Sequence, residues 1–482
     1  MRKIKCWAPA ALLLLVFAAT PAGAWECGKA PPVQTPQTRK AGEAVPPLPL
    51  PATPLRRSEK KNPPSPPVLV GKVVCGPDDR WTRAENDVDN LLRLASQQLS
   101  VPYRAVRIDL ARFSFDPEEV PILYLTSVEP FTPGDNLLPR FKNYLEKGGF
   151  IWANASSGSP EFVRSLADWL GKIYPDRNLY PLYPNHPLKH AFHNLEKVGI
   201  MENGVKASGS PDLRVLNLGC RAAVIVSGLD LGCGWALHTH DFGRRYLPED
   251  AVRIGVNLVS YCLAWIEFGK LYGQMPVYAE KTRKKSGKIY LGQVMHAGDW
   301  DPHPAALGRL LYRVAEEAKV PVYLERINVD LKKDPLDDIP ILYLTGHFDP
   351  RLSRPEIEKL RAFLRRGGTL IADSCCGSQE FGAAFRKLMA ELLPGIEPAR
   401  WETGHPVYRA PYRLESFLYT DATPGNQGPL EVYLLDGLPA AVFSAHGLGG
   451  GWEGIARPYT SGLSASQSGQ LGVNLIAYLL TH

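Results

Sequence analysis

Val120-Pro-Ile-Leu-Tyr-Leu-Thr126 recurs 219 residues later as Ile339-Pro-Ile-Leu-Tyr-Leu-Thr345. A short continuous apolar run bounded by Pro and Thr is the pattern of a strand buried on both faces, as in a parallel sheet covered by helices. Its recurrence at so long a spacing marks a duplicated domain rather than a solenoid repeat.

Other pairs keep the same spacing. Gly148-Gly-Phe-Ile-Trp-Ala-Asn154 matches Gly367-Gly-Thr-Leu-Ile-Ala-Asp373, and Gly158-Ser159 with Phe162 matches Gly377-Ser378 with Phe381. His186-Pro187 matches His405-Pro406. Towards the ends the offset becomes 217: Gly234-Trp235 pairs with Gly451-Trp452, and Gly255-Val-Asn-Leu258 with Gly472-Val-Asn-Leu475. The divisions that follow are a first domain over 69–270, a linker over 271–287 and a second domain over 288–482.

The second copy is the more legible. Strands are predicted at Lys288–Val294, Pro340–Thr345, Thr369–Ala372, Leu430–Leu435 and Ala440–Ser444. Helices are predicted at Ala305–Ala318, Pro355–Arg366 and Gln379–Leu393, with a closing helix containing Val473–Leu480. Pro suits the first turn of the second helix, and Gly367-Gly368 ends it. Strands alternating with helices imply an α/β domain with a mainly parallel sheet between two helical layers, occurring twice in tandem.

These motifs in this order resemble the domain-of-unknown-function 4159 family, across both copies. The resemblance implies a flavodoxin-like, class I glutamine amidotransferase-like fold, and the His-Pro pair is similar to that of ThuA-like trehalose-utilisation proteins, which share that fold. It also implies a bacterial envelope setting. A fold by itself assigns no activity.

The chain has 482 residues, 45% hydrophobic and 22% charged, as expected of a globular protein. Residues 1–24 read as a signal peptide: Arg2, Lys3 and Lys5, an apolar stretch from Ala10 to Ala19, then Ala22-Gly23-Ala24. Cleavage there would take the net charge from +6 to +3, too little to suggest nucleic acid as a partner. Residues 25–68 read as a Pro-rich disordered linker. No later stretch reaches 18 unbroken apolar residues, so no membrane span is expected after cleavage. The expected location is therefore exported, periplasmic or extracellular. Cys220 and Cys233 flank a strand-like run and could bridge, which spacing alone does not decide.

The sharpest chemical candidate is Asp373-Ser374-Cys375-Cys376-Gly377-Ser378, between a strand and a helix, at the sheet end where α/β domains gather ligands. The helix field would lower the Cys375 thiol, with His405 as base and Asp373 orienting it. Against this, Asp373 stands where an amidotransferase-like elbow has Gly, Val407 follows the His-Pro pair where Glu is expected, and the first copy has Asn154, Ser156 and Ser157 in place of Asp373 and the thiols. The simpler reading is a tight small-residue strand-to-helix turn in which Ser and Cys are tolerated equally.

His296, Asp299, Asp301 and His303 form a polar cluster after the second copy's first strand, and His238, His240 and Asp241 another with zinc-like spacing. Each also reads as an ordinary polar loop. Trp235 and Trp452 follow Gly-rich turns, where a buried packing role is the simpler reading. Gly447-Leu-Gly-Gly-Gly451 lacks the Lys-Ser/Thr of a phosphate loop.

The function expected is a non-catalytic binding protein presenting clefts to an envelope protein or a small polar ligand, with Asp299, His303 and Cys376 as ligand contacts and no metal or cofactor. The alternative is a Cys-dependent hydrolase or amidotransferase-like enzyme using Cys375 with His405.

Overall fold

The computed structural model describes residues 66–75, 84–238, 243–272, 289–420, 424–425, 428–455 and 457–481. The stretch 1–24 read as a signal peptide, almost all of the segment 25–68 read as a Pro-rich linker, most of the 271–287 linker, His240 and Asp241 lie outside them. Ser65–His482 form one compact unit containing both copies.

The first domain runs β1 (Val68–Val73), α1 (Asp87–Leu99), β2 (Tyr103–Ile108), β3 (Ile122–Ser127), α2 (Leu138–Glu146), β4 (Phe150–Ala155), α3 (Pro160–Ile173) and β5 (Tyr180–Pro181). It continues with β6 (Val198–Glu202), β7 (Val205–Gly209), β8 (Leu213–Leu218), β9 (Arg221–Ser227), α4 (Gly232–Trp235), β10 (Arg244–Tyr246) and α5 (Pro248–Tyr272). The second runs β11 (Leu291–Val294), α6 (Ala306–Glu317), β12 (Ile327–Val329), β13 (Ile341–Gly346), α7 (Arg354–Arg365), β14 (Thr369–Ser374) and α8 (Gln379–Leu392). It closes with β15 (Ala399–Arg400), β16 (Phe417–Leu418), β17 (Pro424–Gly425), β18 (Leu430–Leu435), β19 (Leu438–Ser444), α9 (Gly449–Trp452) and α10 (Ala465–Leu479).

Each domain is built on a seven-stranded sheet, ordered β2-β1-β3-β4-β9-β8-β5 and β12-β11-β13-β14-β19-β18-β15. The first five strands of each order pair in parallel and the last two pairings are antiparallel, so the sixth strand alone runs against the rest. The predicted tandem α/β architecture is therefore present in both halves.

The unbroken apolar runs are explained by two cores per sheet. Ile122, Tyr124, Phe150 and Trp152 face α1 and α5, while Leu123, Leu125, Ile151 and Ala153 face α2 and α3. The second domain repeats this, with Ile341, Tyr343 and Ile371 against α6 and α10, and Leu342, Leu344, Leu370 and Ala372 against α7 and α8. Alternate strand side chains point to opposite faces, so only an apolar residue at every position fills both layers. Helix α5 is long and apolar enough to cross a membrane by length and composition, but Ile254, Leu258, Val259 and Cys262 on it belong to the core.

The two domains pack head to tail. The β8–β9 turn precedes β9, which runs parallel to β4, so its tip lies where the first domain's parallel strands begin. That tip rests on the opposite end of the second sheet, where the parallel strands finish. Tyr180 stacks on Phe348 at 4.1 Å, Tyr261 on Tyr459 at 5.6 Å, and the Tyr180 hydroxyl donates to the Ala297 carbonyl. The cleft expected to be open in the second domain is thus covered by the first.

Candidate metal centre at the domain seam

In-register pairing of β13 with β14 sets Gly346 opposite Ser374, so the next residues, His347 and Cys375, emerge side by side from neighbouring strands. Cys375, Cys376 and Gly377 then form a single 3₁₀ turn before α8, with Cys376 in the left-handed region at φ 54°. The loop after β11 brings Asp299 and His303 to the same end of the sheet.

The fourth contribution crosses the seam. Gly219 and Cys220 form the two-residue turn between β8 and β9, with Gly219 at φ 64°. A Cβ on Gly219 would stand 3.3 Å from the Pro302 carbonyl, so glycine permits both the turn and the close approach. The Cys220 sulfur reaches 3.4 Å from Cys375 Sγ and 3.3 Å from His303 Nε2. Cys375 Sγ is 3.4 Å from the same Nε2 and 3.6 Å from Cys376 Sγ.

Cys220, His347, Cys375 and Cys376 each offer a ligand atom, and the four atoms lie within 4.8 Å of one another. A tetrahedral zinc site with Zn–S bonds of about 2.3 Å has sulfur–sulfur edges of about 3.8 Å. The Cys220–Cys375 and Cys375–Cys376 spacings are close to that edge. His347 Nδ1 is 2.6 Å from Asp299 Oδ2, which leaves Nε2 for the ion. Asp299 is itself held by Arg177 and Asn217 of the first domain, each at 3.3 Å. His303 Nδ1 lies 3.5 Å from Glu453, which accepts from the Ala305 amide and pairs with Arg457. A carboxylate behind each histidine is the outer shell that fixes tautomer and ring orientation in metal sites.

The charges are organised around Cys220. Burial pushes its thiol up, but hydrogen bonds from Cys375 and Cys376 and the charge on His303 outweigh this and hold it well below the ordinary thiol value. Cys375 is driven well above that value by burial and by its hydrogen bond to Cys220, and Cys376 is raised to about 11, first by its hydrogen bond to Cys220. Burial works against a charged His303, yet the charge on Cys220 raises it to about 9. Burial likewise opposes charge on His347, and its hydrogen bonds to Asp299, Cys220 and Cys376 together more than offset it.

This corrects the expected activation of Cys375 by the helix field. The first amide of α8 donates to Asn185 of the first domain at 3.1 Å, and Ser378 accepts from Phe381 N. The imidazole beside Cys375 is that of His303. His405 accepts from Val407 N through Nδ1 and stacks on Trp401 at 4.4 Å. Asp373 accepts from the Tyr343 hydroxyl at 2.6 Å and from the amides of Leu448 and Gly449, so it ties the Gly-rich turn to the sheet. Of the remaining polar cluster, His296 caps its own loop and Asp301 pairs with Arg326. Cys220 and Cys233 are not bridged to each other, and Cys233 is hydrogen-bonded to Asp230.

The sequence points to Asp299, His303, Cys375 and Cys376 but not to His347 or Cys220 as their partners. A signal for one of them existed: counting back 219 residues sets Ala84, Val128, Ser156 and Ser157 opposite His303, His347, Cys375 and Cys376. The polar residues that the copies do not share mark the site. The first domain fills its equivalent end with its own contacts, including Lys72–Asp87 at 2.6 Å, Tyr124 on Asp87 and Asn154 on Asp230.

No curated protein matches the chain. Among solved structures, one described as a phosphosugar isomerase from Silicibacter pomeroyi DSS-3 is 12% identical, with 64% of this chain and 75% of that chain covered. Its TM-score is 0.14. The family described as Domain of unknown function (DUF4159) matches residues 70–263 and 290–480, one match for each α/β sheet. The chain belongs to the DUF4159 family, and carries its domain twice.

Proposed function

We propose that this protein binds a thiophilic divalent metal ion, zinc foremost, through Cys220, His347, Cys375 and Cys376, and that the ion clasps the two domains together. The observation that carries this reading is the mutual proximity of four ligand atoms drawn from both sides of the seam. Four protein ligands with no open position are the arrangement of structural rather than catalytic zinc. Three thiolates around a dication leave one negative charge, and His303 is placed to donate to two of the sulfurs.

The Cys375–His303 contact is the feature that favours a thiol enzyme instead. Cys375 is fully buried under the first domain, however, and a nucleophile must meet its substrate. An exported location, as read from residues 1–24, and a binding rather than catalytic role belong to the same proposal.

Purified reduced protein equilibrated with zinc should retain one ion per chain by mass spectrometry of the metal. Cys220→Ser and Cys375→Ser should each lower affinity by at least tenfold. Cobalt should give the intense visible bands of a tetrahedral thiolate site. Chelation should lower the melting temperature, since an ion at 100 times its Kd adds about 2.7 kcal/mol. Sub-stoichiometric zinc, or unchanged binding by Cys220→Ser, would refute the reading.

A further inference from the structure

We propose that Cys220 and Cys375 are also a cross-domain disulfide pair, so that the seam is closed either by an ion or by a covalent bond. The alternation rests on the metal reading above; the bond rests on thiol geometry alone. Three sulfurs offer three pairings. Cys375 with Cys376 is disfavoured because adjacent Cα atoms are about 3.8 Å apart across a trans peptide, below the roughly 4.4–6.8 Å span of ordinary disulfides. Cys376 is further held in the left-handed region by its turn. Cys220 and Cys375 are 155 positions apart, stand on separate elements, and have their sulfurs at 3.4 Å. Closing to a bond of about 2.05 Å needs a shift of about 1.4 Å, which a two-residue hairpin tip can supply.

Access sets the order of events. Cys220 is half-buried, whereas Cys375 and Cys376 are buried, so it is the most accessible of the three. With hydrogen peroxide as oxidant, a peroxide oxygen passes to the Cys220 sulfur: the S–O bond forms, the O–O bond breaks and water leaves, giving a sulfenic acid. The Cys375 sulfur then attacks the Cys220 sulfur. The S–S bond forms, the S–O bond breaks, and the departing hydroxide takes the Cys375 proton as a second water. Two thiols lose two electrons and two protons, and one peroxide becomes two waters. The bridge removes two of four ligands, leaving His347 and Cys376 too few to retain the ion.

The full chain, stripped of metal, is treated with hydrogen peroxide, alkylated, digested without reduction and analysed by mass spectrometry. The Cys220–Cys375 cross-linked peptide pair should dominate; it should persist in Cys376→Ser and vanish in Cys220→Ser, both checked for native melting. Zinc-loaded protein should oxidise at least tenfold more slowly and release one ion per bridge formed, read with a chromogenic chelator. A Cys375–Cys376 or Cys220–Cys376 product, or alkylation of all three thiols, would overturn the proposal. If zinc fails to bind while the metal-free chain forms the bridge, only the metal reading falls. If zinc binds and no bridge forms, only this one does.

Discussion

His186 and His405 open the two His-Pro turns, and each accepts the amide two residues on through Nδ1. The repeated histidine is a cap in both copies. Burial lowers His186 to about 3, so it stays neutral in the folded protein where the unfolded chain takes up a proton. Its folded value lies below its unfolded one, so the unfolded state binds more protons between about pH 3 and 6.5, and stability falls as pH drops through that window. From pH 7 to pH 5 this group should cost about 2 kcal/mol. His186→Asn keeps a side-chain cap without the titration. In urea unfolding of metal-free protein at both pH values, the variant should lose about 2 kcal/mol less than wild type; equal losses would refute the assignment.

At the scale of the element, the repeated motifs turn out to be joints. Asn257 and Asn474, from the two Gly-Val-Asn-Leu segments, each donate to two carbonyls and accept one amide of the chain after the His-Pro turn. Each asparagine pins that turn to the closing helix. Trp235 and Trp452 are buried, as the packing reading holds, and their indole nitrogens donate to Ala251 and Ser468. The glycines of the same motif make room: a Cβ on Gly472 would meet Leu310 and the Trp452 indole at 2.6 Å. Asn474→Ala leaves two carbonyls and an amide without their partner and should cost about 3 kcal/mol. Chemical denaturation measures it, and a loss below about 1 kcal/mol would show that the turn is held by something else.

Across the whole molecule, the seam joins unlike surfaces: the first domain's strand-start end covers the second's strand-finish end. Besides the stacked rings, Asn185 bonds both Gly377 and the first amide of α8, and Arg177 and Asn217 converge on Asp299. A seam with this many directional contacts should make the domains unfold together, and an ion bound as proposed would reinforce it. Tyr180→Ala removes one stacked ring and one hydrogen bond, at about 3 kcal/mol. In calorimetry of the metal-free variant, the single wild-type transition should split in two. A single unsplit transition would mean that the seam does not depend on this contact.

Much of the fold was legible because its causes are local. Period-two burial on both faces writes itself as Pro-Ile-Leu-Tyr-Leu-Thr, a glycine pair ends a helix, and a doubled string of motifs reveals a doubled domain. Cys375, Cys376, Asp299 and His303 were legible as residues at strand ends. Their roles were not, because a side chain's partner at such an end is chosen by whichever segment docks there. The sequence alone determined two α/β sheets and the turn that holds the thiols. Only the tertiary structure decided that a hairpin tip 155 residues away would complete the site, since docking depends on surfaces assembled from distant residues and no local pattern records it.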